Sequence, residues 1–175
     1  MTILIILIIL VAIPFVAAVF LSKHFAIERE ITINRPNQEV FDFVKHLKNN
    51  VRYNKWTMTD PNVKLTYTGT DGTVGFIAAW DSTNKNVGQG EQEIVKIEEG
   101  RRVDFALRFV RPFENTAGAY FITEPLSGNQ TKVRWVFTGD RNYANRIMHF
   151  VLNLKKMLGN DLQTSLNTMK QLLEK

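Results

Sequence analysis

Side chains able to do chemistry are few in this sequence of 175 residues. Its three histidines, His24, His46 and His149, are scattered, and none forms the H-x-x-x-H pair of a helical metal site. Cysteine is absent, which excludes disulfides, thiolate nucleophiles and cysteine–zinc sites. Neither a G-x-S-x-G nucleophile motif nor a complete G-x-G-x-x-G dinucleotide motif occurs. The sequence therefore predicts no metal and no cofactor, and it identifies no catalytic residue.

Charged side chains are paired along three of the predicted strands. The pairs that share a strand face are Glu91 and Glu93, Asp104 and Arg108, and Lys132 and Arg134. Two carboxylates on one face can act as a general acid and a general base. The interpretation we favour is cross-strand ion pairing in solvent, because on the last two strands the charged face lies opposite an aromatic face.

The elements that position these groups follow from the hydrophobic periodicity. Seven strands are predicted at 26–33, 63–70, 73–81, 87–98, 102–110, 115–124 and 131–139. A short helix begins at Pro36, Asp71-Gly72 predicts a hairpin turn, and a helix over 143–174 carries one apolar stripe with a mild kink at Gly159. The fold class is therefore α+β, with a curved antiparallel sheet of about seven strands wrapped on a long C-terminal helix.

An uncharged N-terminal run precedes this domain. Residues 1–21 carry no charged side chain and 19 of them are apolar, whereas all 22 basic and 17 acidic side chains follow. As a helix, the run Ile3–Leu21 covers about 29 Å, close to the roughly 30 Å hydrocarbon core of a bilayer. A cleaved signal peptide is the alternative, but no basic residue precedes the run and its length exceeds that of a signal peptide.

The charges that flank the run predict its orientation. Lys23, Arg29 and Arg35 follow it, and the positive-inside rule then favours a cytoplasmic domain. We therefore predict a single-pass membrane protein, with a transmembrane helix in residues 1–22, membrane contact through residues 3–21, and a domain in residues 23–175. The net charge of +5 is spread along the chain without a basic cluster, so nucleic-acid binding is not expected.

The soluble part resembles the SRPBCC superfamily, the helix-grip fold of START lipid-transfer domains and birch-pollen allergens, and especially its polyketide cyclase/dehydrase-like group. The matching motifs, in chain order, are Pro36-x-x-x-Val40-Phe41, Trp56 with Asp60-Pro61, Tyr67-x-Gly69-x-x-Gly72-x-Val74-Gly75, Trp80, Val87-Gly88-x-Gly90, Phe109-x-x-Pro112, Trp135-x-x-x-Gly139 and Met157-Leu158-Gly159-x-Asp161. Thr57-Met58-Thr59 departs from the Ser-Pro-Trp that often follows the first tryptophan in this family. Ligand identity is therefore not carried over.

The resemblance implies an internal cavity for a hydrophobic small molecule. The predicted lining residues are Trp56, Phe76, Trp80, Phe105, Phe109, Tyr120, Trp135, Phe137, Leu154 and Leu158. For each of them a place in a solid core is the competing interpretation, and Tyr120 lines the cavity only if its strand face turns inward. The expected partner is a hydrophobic small molecule or lipid. The alternatives are a polyketide cyclase or dehydratase, for which Glu93, Arg108 and Tyr120 would have to converge inside, and a protein-interaction module.

Overall fold

The computed structural model describes residues 2–175, apart from the side chains of residues 4–5, 7–11, 144 and 149–150. Met1 and the side chain of His149 thus lie outside the described part. The elements in chain order are α1 (Thr2–Phe20), β1 (His24–Ile33), α2 (Asn37–Lys45), a 3₁₀ turn (Leu47–Asn49), α3 (Asn50–Tyr53), α4 (Lys55–Met58), β2 (Lys64–Thr68), β3 (Ile77–Asp81), β4 (Gln89–Glu98), β5 (Arg102–Arg111), β6 (Asn115–Leu126), β7 (Gln130–Asp140), α5 (Tyr143–Val151) and α6 (Leu154–Leu173).

The strands form one sheet in the order β1-β7-β6-β5-β4-β3-β2, and every pair of neighbours is antiparallel. Because side chains alternate along a strand, the sheet has an inner face toward the helices and an outer face. Along β7, for example, Val133 and Trp135 are buried, while Lys132 and Arg134 on the outer face are partly exposed. The predicted α+β helix-grip architecture, with a seven-stranded antiparallel sheet and a long C-terminal helix, is confirmed.

Two helices cover one end of the inner face. The α2 helix buries Val40, Phe41 and Val44 against β5, β6 and β7, and α6 buries Leu162, Leu166 and Met169 beside β1. The C-terminal turn of α6 is held to the end of β1 by a hydrogen bond from Lys170 Nζ to Thr32 O at 2.7 Å. We call the end where β1 finishes and β7 begins the closed end, and the end where β1 begins and β7 finishes the open end.

The predicted single helix over 143–174 is wrong, because the chain breaks between α5 and α6. Asn153 has φ +47, a left-handed conformation that asparagine tolerates better than most residues. Its carbonyl then accepts from the backbone N–H groups of Lys156 and Met157, which starts α6 in a new direction. The predicted mild kink at Gly159 stays a prediction, since this residue lies inside α6 and the break comes before it, at Asn153. A Cβ on Gly159 would lie 2.1 Å from Arg29 Nη2, the movable end of that side chain.

The predicted turn at Asp71-Gly72 is present, since the Thr73 N–H donates to Thr70 O at 3.2 Å and the flanking strands pair antiparallel, but those strands are shorter than predicted. The strands that flank it are β2 and β3, and residues 69–76 form a longer connection between them. The Asp71 carboxylate accepts from the backbone N–H groups of Leu47 and Lys48, so its charge holds the loop to the 3₁₀ turn. A Cβ on Gly72 would lie 2.7 Å from His46 Nε2. The turn thus forms as its sequence predicts, and tertiary contacts hold it within a longer loop.

The predicted single-pass membrane protein is a third correction. The N-terminal run is helical as α1, but within residues 2–175 no helix is both long enough and apolar enough to cross a membrane. The count of uncharged residues in the N-terminal run could not show what the C-terminal part of α1 contacts. The Tyr143 hydroxyl donates to Phe15 O at 2.8 Å, and Arg146 Nη1 donates to Ala18 O and Leu21 O. These turns of α1 therefore pack against α5 and its polar groups.

Candidate ligand-binding site

The ten residues predicted to line a cavity occupy three different surroundings. Phe76, Phe105 and Trp135 are buried in the core, and the last of these is 5% exposed. Six are partly buried: Trp56, Trp80, Phe109, Phe137, Leu154 and Leu158. Tyr120 lies on the outer face. The structure therefore brings most of them to the inner face, but it does not place them around one enclosed space.

Aromatic rings fill the middle of the inner face. The Trp135 and Phe121 ring centroids are 4.7 Å apart, and Tyr53 lies edge-on to both rings at 6.1 and 6.5 Å. Trp56 closes the group, edge-on to Trp135 at 6.4 Å. Such offset and perpendicular contacts are the favoured geometries of aromatic pairs. Here the competing interpretation, a packed core, describes the residues better than a cavity wall.

Tyr120 is predicted to line a cavity only if its face of β6 turns inward. It lies on the outer face instead. Its neighbours Ala119 and Phe121 are buried, as is Thr123 farther along β6, so period two turns the tyrosine outward. The Arg102 guanidinium lies 4.0 Å from the centre of its ring, a cation–π contact. The charged residues of β4 and β5 share this outer face. Arg108 donates to Glu91 and, at 2.6 Å, to Glu93, and these hydrogen bonds raise the pKa of its guanidinium.

The open end of the inner face differs from its middle. A row of residues paired in register crosses four strands there: Phe25 on β1, Gly139 on β7, Ala117 on β6 and Leu107 on β5. A second row joins Phe109 on β5, Gly90 on β4 and Trp80 on β3. The large side chains of both rows are only partly buried. We call these two rows, together with the neighbouring Phe137 and Leu158, the open strip.

The open strip has small residues in its floor and rings along its sides. Gly139 and Ala117 are adjacent across β7 and β6. The Phe25 ring lies over Gly139, 2.9 Å from the position that a Cβ would take, and the Trp80 ring lies over Gly90 at 2.6 Å from the corresponding position. The Trp80 and Phe109 rings meet edge-on at 5.8 Å. Rings therefore cover both glycines, and Ala117 is the small floor residue between Gly139 and Leu107. This combination suits a flat or extended apolar molecule.

A polar chain that the sequence analysis missed borders the open strip. The Tyr53 hydroxyl donates to Asn50 Oδ1 at 2.6 Å, and Asn50 Nδ2 donates to Gln92 Oε1 at 3.1 Å. Burial raises the pKa of the Tyr53 phenol far above its usual range. A signal for Gln92 was available, because it has the inward register of Gly90 and Ile94. Asn50 and Tyr53 lie in α3, a short helix whose bounds the hydrophobic periodicity did not predict.

Two cavities are present, and none of the ten predicted residues lines either. The larger, about 580 Å³, is at the open end of β1, β7 and β6, where it is lined by Phe25, Ala117 and Gly139 of the open strip and by six residues that face outward: His24, Ala26, Thr116, Gly118, Thr138 and Asp140. The smaller, about 190 Å³, lies between α3, α4 and α6 and is lined by Tyr53, Lys55, Met58, Thr59, Thr164 and Thr168. Within the described residues, no cluster of three or more His, Asp or Glu side chains could hold a metal ion.

Comparison with solved structures places this fold among known ones. The chain is similar to a protein from Mesorhizobium loti (14% identity, TM-score 0.62), covering 85% of this chain and 96% of that one. It is similar to the Aha1 dimer from Colwellia psychrerythraea (16%, 0.57), covering 86% and 96%. It also resembles BexL, a di-domain ARO/CYC from the BE-7585A biosynthetic pathway (16%, 0.62), covering 90% of this chain and 52% of BexL.

At these identities the likeness shows the fold alone. Among curated proteins, no significant match to the sequence exists. The family model described as "Polyketide cyclase / dehydrase and lipid transport" matches residues 24–174, from the first residue of β1 to just beyond α6. This chain therefore belongs to the polyketide cyclase/dehydrase and lipid transport family.

Proposed function

We propose that this domain binds a hydrophobic small molecule, such as a lipid or a polyketide-like compound, on the open strip. The observation that carries the proposal is the contrast within one face. Phe105 and Phe121 are fully buried, whereas Leu107, Phe109 and Trp80 on the same face remain partly exposed. The description of the family, which names polyketide chemistry and lipid transport, supports a ligand of this class.

The dimensions of the open strip fit such a ligand. From β1 to β3 it crosses five strand-to-strand spacings, or about 24 Å. A ligand that covers about 200 Å² of apolar surface gains about 5 kcal/mol from that burial, before the costs of association. A micromolar affinity therefore needs contacts along most of the strip and from both sides of the ligand. Leu158 on α6 and Phe25 on β1 offer contacts at one end, and Trp80 offers them at the other.

The cyclase alternative lacks the arrangement that it requires. Glu93, Arg108 and Tyr120 would have to converge inside, but all three lie on the outer face. Binding without turnover is therefore the function that this geometry supports best. The interaction-module alternative stays a prediction.

The proposal is tested with N-phenyl-1-naphthylamine, an uncharged probe that fluoresces in apolar sites. We expect the full-length wild-type chain to bind it saturably. Ala117→Phe should lower the affinity at least tenfold, because the new ring rises from the floor of the strip between Gly139 and Leu107. The matched control is Thr116→Phe, the adjacent residue of β6, which is exposed and turned outward.

Because α1 is present in every variant, any probe that it binds contributes equally to all of them. Thr116 and Ala117 both line the larger cavity, so a loss of binding in Thr116→Phe but not in Ala117→Phe would move the site to the outward-facing part of that cavity. The absence of saturable binding to the wild-type chain would overturn the proposal altogether.

A further inference from the structure

The polar chain beside the open strip consists of Tyr53, Asn50 and Gln92, joined by two hydrogen bonds in sequence. Tyr53 is 1% exposed, and the other two are partly buried. No charged side chain takes part in these two bonds. The chain links α3 to the inner face of β4 and ends at the Gln92 carboxamide.

The direction of each bond in this chain follows from the buried phenol. Tyr53 has one hydrogen to donate and needs an acceptor for it, because an unmet donor in the core is costly. Asn50 Oδ1 is that acceptor, so the other atom of the same amide, Nδ2, is the one that faces Gln92. Gln92 must then turn its oxygen toward Asn50. The phenol stays protonated, since burial raises its pKa, and it therefore keeps this order.

The remaining group of Gln92 is its Nε2 amide, which carries two hydrogens. In the part of the chain that the structure describes, no atom accepts a hydrogen bond from it. Gln92 pairs in register with Leu107 on one side and Ala78 on the other, both on the inner face. Since its oxygen is turned to α3, its nitrogen is turned away from α3 and toward the open strip.

We propose that Gln92 is a specificity-determining hydrogen-bond donor of the open strip, and that the ligand is a hydrophobic molecule with a neutral acceptor oxygen, such as a ketone or ester carbonyl. This inference rests on the proposed function, because it names the ligand class of the same site. An apolar molecule without oxygen would cover the donor and leave it unmet. A matched carbonyl compound gives it an acceptor instead.

The test uses two probes of the same shape, 2-acetylnaphthalene and 2-ethylnaphthalene, which differ in a carbonyl oxygen. We expect the full-length wild-type chain to bind the ketone about tenfold more tightly. In ¹⁵N-resolved NMR spectra, the side-chain Nε2 signals of Gln92 should move downfield with the ketone and much less with the hydrocarbon. Gln92→Glu keeps an acceptor for Asn50 but removes the donor, so it should abolish the preference while affinity for the hydrocarbon changes little.

Two further variants keep the test decisive. Gln92→Met fills similar space without an amide, and it should also remove the preference for the ketone. It therefore serves as the test if the glutamate variant fails to fold. Glu93→Gln, the next residue on the opposite face, is the matched control and should retain the preference. Equal affinity of the wild-type chain for the two probes, or a preference that survives both Gln92 variants, would overturn this inference alone. Failure of both probes to bind the wild-type chain would instead contradict the proposed function.

Discussion

The two ends of the inner face are built from the same strands but differ in what covers them. At the closed end, α2 and α6 bury Val133, Leu166 and their neighbours completely. At the open end, Leu107, Phe109 and Trp80 keep part of their surface exposed, and α5, which the left-handed residue Asn153 separates from α6, packs on α1. One sheet face can thus carry both a packed core and a partly exposed apolar surface.

The largest expected effect comes from truncating one ring in the packed middle of the inner face and one ring at its open end. Phe121→Ala removes a fully buried ring that contacts Trp135, Tyr53 and Phe105, and should lower the free energy of unfolding by about 4 kcal/mol. Phe109→Ala removes a partly exposed ring and should cost about 1.5 kcal/mol. Urea unfolding of both variants measures the difference. Equal losses would mean that the open end is packed as fully as the closed end.

The next comparison is between two glycines. A Cβ added at Gly88 would meet backbone atoms, whereas a Cβ added at Gly159 would meet a side chain. At Gly88, beside the open end, a Cβ would lie 2.1 Å from the Arg111 carbonyl oxygen and φ is +66. Gly88→Ala should therefore cost about 2–3 kcal/mol. At Gly159 the obstacle is the movable end of the Arg29 side chain, and alanine favours a helix by up to about 1 kcal/mol.

We thus expect Gly159→Ala to change the free energy of unfolding by less than about 1 kcal/mol in either direction. Thermal unfolding of the two variants under one set of conditions is the measurement. If Gly88→Ala were the milder change, the backbone at the open end would be looser than the structure indicates.

A smaller effect is expected where α4 is fastened to α6, beside the closed end. The fully buried Ser165 hydroxyl accepts from Lys55 N at 2.9 Å and donates to Asp161 O. Ser165→Ala leaves that N–H without its acceptor and should cost about 1–2 kcal/mol. Thr164→Ala is the control, because its exposed hydroxyl bonds only to a carbonyl of its own helix. Similar losses in both variants, measured by urea unfolding, would contradict this reading of the junction.

The smallest effect concerns pH and the loop at the open end. The buried Ser82 hydroxyl donates to the Asp60 carboxylate, and this hydrogen bond holds the pKa of Asp60 below its usual range. A carboxyl group whose pKa is lower in the folded than in the unfolded chain stabilises the fold when the pH is above the unfolded-state pKa. That stabilisation is lost as the pH falls through the folded-state pKa. Ser82→Ala should therefore destabilise the fold slightly at neutral pH.

The difference between Ser82→Ala and the wild-type chain should shrink as the solution is acidified below the ordinary pKa range of aspartate. Thermal unfolding between neutral and strongly acidic pH would reveal it. A difference that grew on acidification would contradict the lowered pKa of Asp60.

Periodicity predicted the strands well, because alternation records which side of a strand is buried. It therefore predicted the outward charged faces, and Arg108 indeed pairs with Glu91 and Glu93 across two strands. The same rule should have turned Tyr120 outward, since Ala119 and Phe121 form the competing face. The family resemblance, confirmed over residues 24–174, gave the class of fold but not the filling of its interior.

What periodicity could not predict depends on contacts between distant residues. The apolar stripe of the last helix continues through Asn153, so nothing local marked the break there. Asp71 lies in the tight turn that its sequence predicts, but nothing local indicated that its carboxylate would bind the N–H groups of Leu47 and Lys48. The uncharged run that forms α1 carried no sign that Tyr143 and Arg146 would bond to its carbonyls.

The central claim is that a hydrophobic ligand binds at the open strip and not inside the aromatic core. Its most direct test is a titration of the ¹⁵N-labelled chain with 2-ethylnaphthalene, observed through the indole N–H signals of its three tryptophans. Trp80 lies on the strip, whereas Trp135 is enclosed by Tyr53 and Phe121. The account predicts a saturable shift of the Trp80 signal with little change at Trp135. A shift of Trp135 with Trp80 unmoved would contradict it.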